Sequence, residues 1–347
     1  MLLSCALAYV MPFELFLFSY AVLGPLHYLT EITWLKQRDC FTTGKKDYIF
    51  LIVPCVILTF IVLVGTYHDK PVVDGLYEFC TSLFGLKFFG SAYIMIFVAF
   101  FSALAFVLFK DGLYKLIFIL VTLFLGIILK DVRPIFIFFA IFLPTLIHVF
   151  VFTGLFIILG ALKNRSITGI VSALVFVLCA VIFFIWKPIF HFYAATDYAQ
   201  QAVYMGGNGF ATVNMAIISF LQNGRISMET LFQSQVGLSV GRFIAFAYTY
   251  HYLNWFSKTE VIKWHKVPAK WLAAVVGLWI FSVVLYVYDY KTGLMALYFL
   301  SMLHVFLEFP LNYRSVIGIV EESRIFAGFQ KPKVVKTKAV AATARKK

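Results

Sequence analysis

Charged residues are scarce in this chain of 347 residues: Asp, Glu, Lys and Arg make up 13% of it, against 62% hydrophobic residues. A soluble globular domain usually has about 25% charged and 45–50% apolar residues. The composition therefore excludes a soluble globular domain and indicates a polytopic membrane protein. Because a backbone in the bilayer core must satisfy its own hydrogen bonds, the apolar segments are expected to be helices.

Cysteine is also rare, and the five cysteines are scattered without any Cys-x-x-Cys pair. That distribution argues against a disulfide framework and against a thiolate metal site. The first apolar run lacks the basic residues that precede the core of a signal peptide, and it contains Pro12 and Glu14. We therefore expect this run to be retained as a membrane span.

Nine apolar runs are long enough, at roughly 20 residues each, to cross a bilayer as helices. The sequence thus predicts an all-α transmembrane bundle of about nine spans, forming one integral membrane domain over residues 1–330. The predicted spans are 3–26, 48–66, 88–109, 113–129, 134–162, 168–186, 235–256, 271–288 and 294–311.

Lysine and arginine are distributed unevenly between the predicted loops. With the N-terminus outside, 21 of them fall in inside loops and seven in outside loops. Cytoplasmic loops carry the excess of positive charge, so the pattern predicts an N-out, C-in orientation. The net charge of +13 is then mainly topological. A nucleic-acid partner has no support, because the basic residues are not gathered with aromatic residues on one face.

Two segments depart from the pattern of spans and short loops. Residues 187–234 form a long connection rich in Tyr, Gln, Gly and Asn, in which the run 210–221 is too short to span. We predict an external segment with an interfacial helix there. Residues 331–347 are basic and poor in large apolar residues, which predicts a disordered cytoplasmic tail.

Two copies of His-x-x-x-Glu lie near opposite ends of the chain: His27 with Glu31, and His304 with Glu308. A spacing of four residues places both side chains of a pair on one helix face. An ionisable group in hydrocarbon costs about 2.5 kcal/mol or more on insertion scales, so such pairs indicate a site.

Two further histidines, His148 and His251, also lie in apolar runs, so four separate spans each carry one imidazole. In the N-out orientation all four spans run from outside to inside. Three of the histidines lie roughly 9–14 Å from the inner ends, with His148 somewhat deeper. We therefore expect the four imidazoles to converge in one layer.

Neutral imidazole is a common ligand for iron, copper and zinc, so this layer predicts a metal site with His27, His148, His251 and His304 as ligands. Glu31 and Glu308 are the candidate catalytic carboxylates. They could orient a histidine through its second ring nitrogen, on the same or another helix, or ligate the metal directly. Asn254 and Glu14 are further candidates. A proton or ion pathway built from the same residues, and simple interhelical packing, are the alternatives.

The stretch GPLHYLTE, from Gly24 to Glu31, resembles the Gly-x-Pro-His-Gly-x-x-Asp element of the Brp/Blh family of membrane carotene dioxygenases. The resemblance covers eight residues, and Leu26, Tyr28 and Glu31 depart from the family's proline, glycine and aspartate. It implies a non-haem iron held by four histidines, with His27 as a ligand, and the cleavage of a carotenoid-like polyene by dioxygen. The His-x-x-His-His clusters of membrane fatty-acid desaturases are absent from the sequence.

The sequence therefore predicts a metal-dependent membrane oxidoreductase, with an iron oxygenase acting on a carotenoid-like or other apolar lipid as the leading hypothesis. Zinc or copper could occupy the same four imidazoles. A proton-coupled transporter or channel is one alternative, and a zinc-dependent intramembrane lipid hydrolase with a glutamate as general base is another. The expected partners are the lipid bilayer and an apolar small molecule, and the expected location is a bacterial inner membrane.

Overall fold

The computed structural model describes residues 1–85, 92–186, 193–205, 209–222, 227–259 and 267–327, and every regular element in those ranges is helical. The predicted tail 331–347 lies outside them. In chain order the helices are α1 Leu2–Val10, α2 Pro12–Lys36, α3 Tyr48–Thr66, α4 Pro71–Phe84, α5 Ala92–Leu108, α6 Gly112–Ile128, α7 Arg133–Lys163, α8 Ile167–Ile185, α9 Asp197–Met205, α10 Gly209–Gln222, α11 Met228–Gln233, α12 Gln235–Ser257, α13 Ala269–Tyr288 and α14 Tyr290–Phe326.

Seven of these helices, namely α2, α3, α6, α7, α8, α13 and α14, are long and apolar enough to cross a membrane. The fold is therefore an α-helical bundle with the composition of an integral membrane protein. Helix α5 is shorter, with 17 residues. Helix α12 is 23 residues long but carries many polar side chains, and most of them are buried by neighbouring helices rather than facing lipid.

The first predicted span has different bounds in the structure. The helix breaks at Met11, where φ is −143° and ψ is 64°, and Pro12 then begins α2, which continues to Lys36. Proline is well tolerated in the first turn of a helix, where its missing N–H has no partner to lose. His27 and Glu31 therefore lie well inside a long helix rather than at its edge.

Helices α12 and α14 are the two central elements, each surrounded by a hydrophobic cluster. The cluster around α12 includes Phe13, Phe16 and Phe246, and the cluster around α14 includes Trp34 and Phe306. Since α2 contributes residues to both clusters, it connects the two halves of the bundle. The polar residues of α2, α12 and α14 meet where these clusters join.

Close packing of α2 on α12 fixes the position of this junction. A Cβ atom on Gly24 would lie 3.2 Å from the hydroxyl oxygen of Tyr252, so glycine permits this approach of the two helices. The hydroxyl groups of Ser19 and Thr249 are 2.7 Å apart, and the indole N–H of Trp255 donates to Thr30 Oγ1 at 3.0 Å. These interhelical contacts hold His27 of α2 beside His251 of α12.

In the parts of the segment predicted as external that the structure describes, there are three short helices, α9, α10 and α11. Helix α10 coincides with the run predicted as an interfacial helix, and it packs against the bundle through Asn214 and Ile218, which are fully buried. The location of this segment relative to a membrane stays a prediction.

Candidate metal centre

Four histidines from four helices converge in the interior of the bundle. His27 on α2, His148 on α7, His251 on α12 and His304 on α14 are each 1–6% exposed. Neighbouring imidazole rings in this group have centroids 4.6–5.4 Å apart. Much of α7, from Phe138 to Phe152, has π-helical geometry around Pro144, and His148 lies in this segment. Such irregular turns occur often at functional sites.

The Nε2 atoms face one another in two pairs. His27 Nε2 lies 3.1 Å from His251 Nε2, and His148 Nε2 lies 3.1 Å from His304 Nε2. Two nitrogens bound to one ion at about 2.1 Å would be about 3.0–3.4 Å apart, depending on the coordination angle. The spacing of the imidazoles therefore suits a shared metal ion.

A group of three of these histidines could hold a metal ion. One ring nitrogen from each of His27, His148 and His304 lies within 4.8 Å of the others. His251 adjoins this group through its contact with His27. The structure thus brings together all four histidines that the sequence predicted, three of them in a ligand-like cluster.

The two glutamates contact opposite sides of the histidine rings. Glu31 Oε2 lies 3.0 Å from Nε2 of His27, on the side where the four rings meet. Glu308 Oε2 lies 3.0 Å from Nδ1 of His148, on the outer side of that ring. Glu308 therefore approaches a histidine on another helix rather than His304, its neighbour one turn away. Glu31 is placed to face an ion, and Glu308 to orient a ligand.

Several buried polar atoms of this cluster have no hydrogen-bond partner among the described residues. They are His27 Nδ1, Glu31 Oε2, His148 Nδ1, His304 Nδ1 and Glu308 Oε2. The two His–Glu contacts at 3.0 Å are thus close without having hydrogen-bond alignment. An unsatisfied buried polar group costs about 1–3 kcal/mol. Of these atoms, Glu31 Oε2 lies on the side where the Nε2 atoms converge, so an ion bound there would satisfy it.

A threonine that the sequence did not single out orients the fourth histidine. Thr153 Oγ1 lies 2.8 Å from Nδ1 of His251, which is the kind of contact that fixes the tautomer and direction of a ligating imidazole. Thr153 follows His148 by five residues on α7 and is 1% exposed. Asn254, the residue that the sequence suggested for this role, lines a cavity instead.

Glu14, another candidate from the sequence, lies far from the cluster. It sits in the first turn of α2 and accepts hydrogen bonds from the Tyr193 hydroxyl and the Thr196 backbone N–H, at 2.6 and 2.9 Å. His68 is exposed and contacts the Gly65 carbonyl. His191 and His265 lie outside the described residues.

A cavity of about 350 Å³ leads from the cluster to the end of the bundle where α2, α7 and α12 finish. Its inner end is formed by His27, Glu31, His251 and Glu308, and its apolar walls include Trp34, Phe156, Leu159, Trp255 and Leu311. Small-molecule sites usually measure about 300–1,000 Å³, so the cavity is large enough for a ligand.

Two lysines, Lys163 and Lys258, line the same cavity. Lys258 follows the last residue of α12, and its ammonium lies 5.3 Å from the centre of the Phe156 ring. Burial lowers the pKa of Lys258, while the Glu308 and Glu31 carboxylates oppose that shift. The cavity therefore joins a polar inner end to a cationic outer part through aromatic walls.

Comparison of the chain with protein-family models, with curated proteins and with solved structures finds no match. The fold and the geometry of the histidine cluster are consequently the basis for any functional assignment.

Proposed function

We propose that this protein is an intramembrane, metal-dependent oxygenase that acts on a lipid-soluble substrate. The observation that carries the proposal is the convergence of four buried imidazoles, with a carboxylate on their inner side, at the end of a largely apolar cavity. His27, His148 and His304, with His251 beside them, are the proposed ligands. Histidine ligands with a carboxylate are typical of non-haem iron, which makes iron(II) the proposed metal.

A bound iron ion would supply the one-electron chemistry by which dioxygen reacts with an organic molecule. The protein's own residues have separate tasks in this proposal. Glu31 is placed to bind the metal or to hold a proton beside it, and Glu308 and Thr153 orient His148 and His251. Trp34 and Trp255 line the cavity and keep water from the reacting atoms.

A zinc-dependent lipid hydrolase is the second candidate, and the position of Glu31 favours it as much as the oxygenase. A carboxylate 3.0 Å from a ligand nitrogen could serve as general base for a water on the metal. Proton-coupled transport has less support. In the sequence of α2, no acid, base or histidine lies between Glu14 and His27, so this helix offers no continuous relay.

Elemental analysis of the purified protein distinguishes these functions. We expect about one iron per chain, together with an altered lipid or carotenoid profile in cells that express the protein and are supplied with polyisoprenoids. Cells that express a His304→Ala variant at the same level are the control for the profile. Zinc instead of iron would replace the oxygenase with the hydrolase, and a protein that binds no metal from iron- or zinc-supplied cells would overturn both.

We further propose that α5 and α12 also cross the membrane, which gives nine spans with the N-terminus outside and the C-terminus in the cytoplasm of a bacterium. The support is the excess of lysine and arginine in one set of loops. In this proposed orientation, the open end of the cavity lies on the cytoplasmic side.

This orientation predicts the labelling of two exposed positions. In a cysteine-free background, Val72→Cys should react with an impermeant maleimide on intact cells, and Arg165→Cys only after the membrane is opened. Both residues are exposed. Val72 lies in the first turn of α4, in a connection assigned to the outside, and Arg165 lies between α7 and α8 in a loop assigned to the inside. Reaction of Arg165→Cys on intact cells would invert the orientation or change the number of spans.

A further inference from the structure

We infer that the cavity at the metal centre binds a single-chain amphiphile with an anionic head, a carboxylate or a phosphate, which contacts Lys258. This inference rests on the proposed function for the reaction at the metal, and it adds the class of substrate. The observations behind it are the position of Lys258, the charges around the cavity and the length of its apolar part.

Lysines near helix C-termini are common, because they interact favourably with the helix dipole and with the cytoplasmic leaflet. Lys258 differs from such lysines in its direction. Its side chain lines the cavity and its ammonium approaches the Phe156 ring, instead of extending to the surface. Among the described residues, no carboxylate lies within 4.0 Å of this ammonium. A half-buried cation without an ion-pair partner is placed to receive an anion.

The charges of the site also favour an anion. A divalent metal would be balanced by Glu31 and Glu308, the two carboxylates that lie against the histidines. Lys258 would then keep a positive charge with no carboxylate within 4.0 Å among the described residues, and the exposed Lys163 lies at the same cavity. An anionic head beside these lysines restores neutrality in a region of low dielectric constant, where unbalanced charge is costly.

The distance between lysine and metal requires a chain on that head. Lys258 follows the last residue of α12 and lies seven positions after His251, which corresponds to about 10 Å along the helix axis. The wall between them is apolar and aromatic, with Trp34, Phe156 and Trp255. A head bound at Lys258 therefore directs a hydrocarbon chain toward the metal, and a volume of about 350 Å³ suits one chain rather than the two of a phospholipid.

Quenching of tryptophan fluorescence by brominated lipids provides the test, because Trp34 and Trp255 line the cavity. The protein in zwitterionic nanodiscs is titrated with dibromostearate, with dibromostearyl phosphate and with dibromostearyl alcohol. We expect half-maximal quenching at about tenfold lower concentration of an anionic lipid than of the alcohol. A hydrogen bond between charged groups contributes an affinity difference of about this size. The acid and the phosphate are separate arms that identify the preferred head.

Variants locate the binding site. Lys258→Gln should remove the advantage of the anionic lipid over the alcohol, whereas Lys110→Gln, at an exposed lysine that does not line the cavity, should retain it. The double variant Trp34→Phe, Trp255→Phe should lose most of the saturable quenching. Equal affinities for acid, phosphate and alcohol in the unaltered protein, or an unchanged preference in Lys258→Gln, would overturn the inference.

Measuring metal content in the same samples separates this inference from the proposed function. Selective binding of an anionic lipid by a protein that takes up no metal would remove the oxygenase and leave the binding site. Normal metal content without selectivity would remove the anionic substrate and leave the metal centre. If Lys258 served only to balance Glu31 and Glu308, Lys258→Gln would change metal affinity and leave the preference among the three lipids unaltered, which also contradicts the inference.

Discussion

Replacing His27, His148 or His304 with alanine is expected to remove nearly all bound metal from the protein. Each of these residues offers a ring nitrogen within 4.8 Å of the other two, so each variant loses one of the converging ligands. Changes to groups that only orient a ligand already weaken metal affinity about 10- to 100-fold, and loss of a ligand should exceed that. We expect the same result for His251→Ala, because its Nε2 lies 3.1 Å from that of His27.

The measurement is metal per chain after purification and dialysis against a weak chelator. His68→Ala is the matched control, since His68 is exposed and lies outside the cluster, and it should keep full metal content. Circular dichroism and size-exclusion chromatography in detergent establish that each variant is folded. If alanine destabilises the bundle, asparagine at the same positions provides a polar replacement. Full occupancy in all four histidine variants would show that these residues do not form the site.

The convergence of the histidines could be predicted from sequence because it depends on helix length and direction. Counting residues from the helix ends estimates where along its helix each histidine lies, and four polar residues at similar levels of apolar helices have strong reason to meet. That estimate tolerates error: the break at Met11 and the extension of α14 to Phe326 changed the bounds of two spans without separating His27 from His304.

Contacts that depend on how each helix is rotated could not be predicted in the same way. The roles of Glu31 and Glu308 are one example, because the two motifs have identical spacing and yet their carboxylates approach different ring nitrogens. Thr153 and Lys258 are another, since only the packing of α7 against α12 places them at the site. Their sequence signals, a threonine in an apolar run and a lysine after a helix, occur widely in membrane proteins.

The different positions of the two glutamates predict different effects of the same substitution. Glu308→Gln keeps the size of the side chain and weakens its interaction with Nδ1 of His148, so metal affinity should fall about 10- to 100-fold while the coordination of the metal stays the same. Glu31→Gln changes a group on the inner side of the histidine cluster, so it should alter the coordination itself.

Cobalt(II) is a suitable probe, because its visible absorption depends on the number and type of its ligands. With both variants loaded to saturation, Glu308→Gln should reproduce the bands of the unaltered protein at a higher cobalt requirement, and Glu31→Gln should shift them. Asn254→Ala, at a residue that lines the cavity but is not a partner in the hydrogen bonds of the four histidines, is the control and should match the unaltered protein in both respects. Shifted bands in Glu308→Gln together with unshifted bands in Glu31→Gln would reverse the two roles. The ion would then lie on the Nδ1 side of His148, and the four Nε2 atoms would no longer define its position.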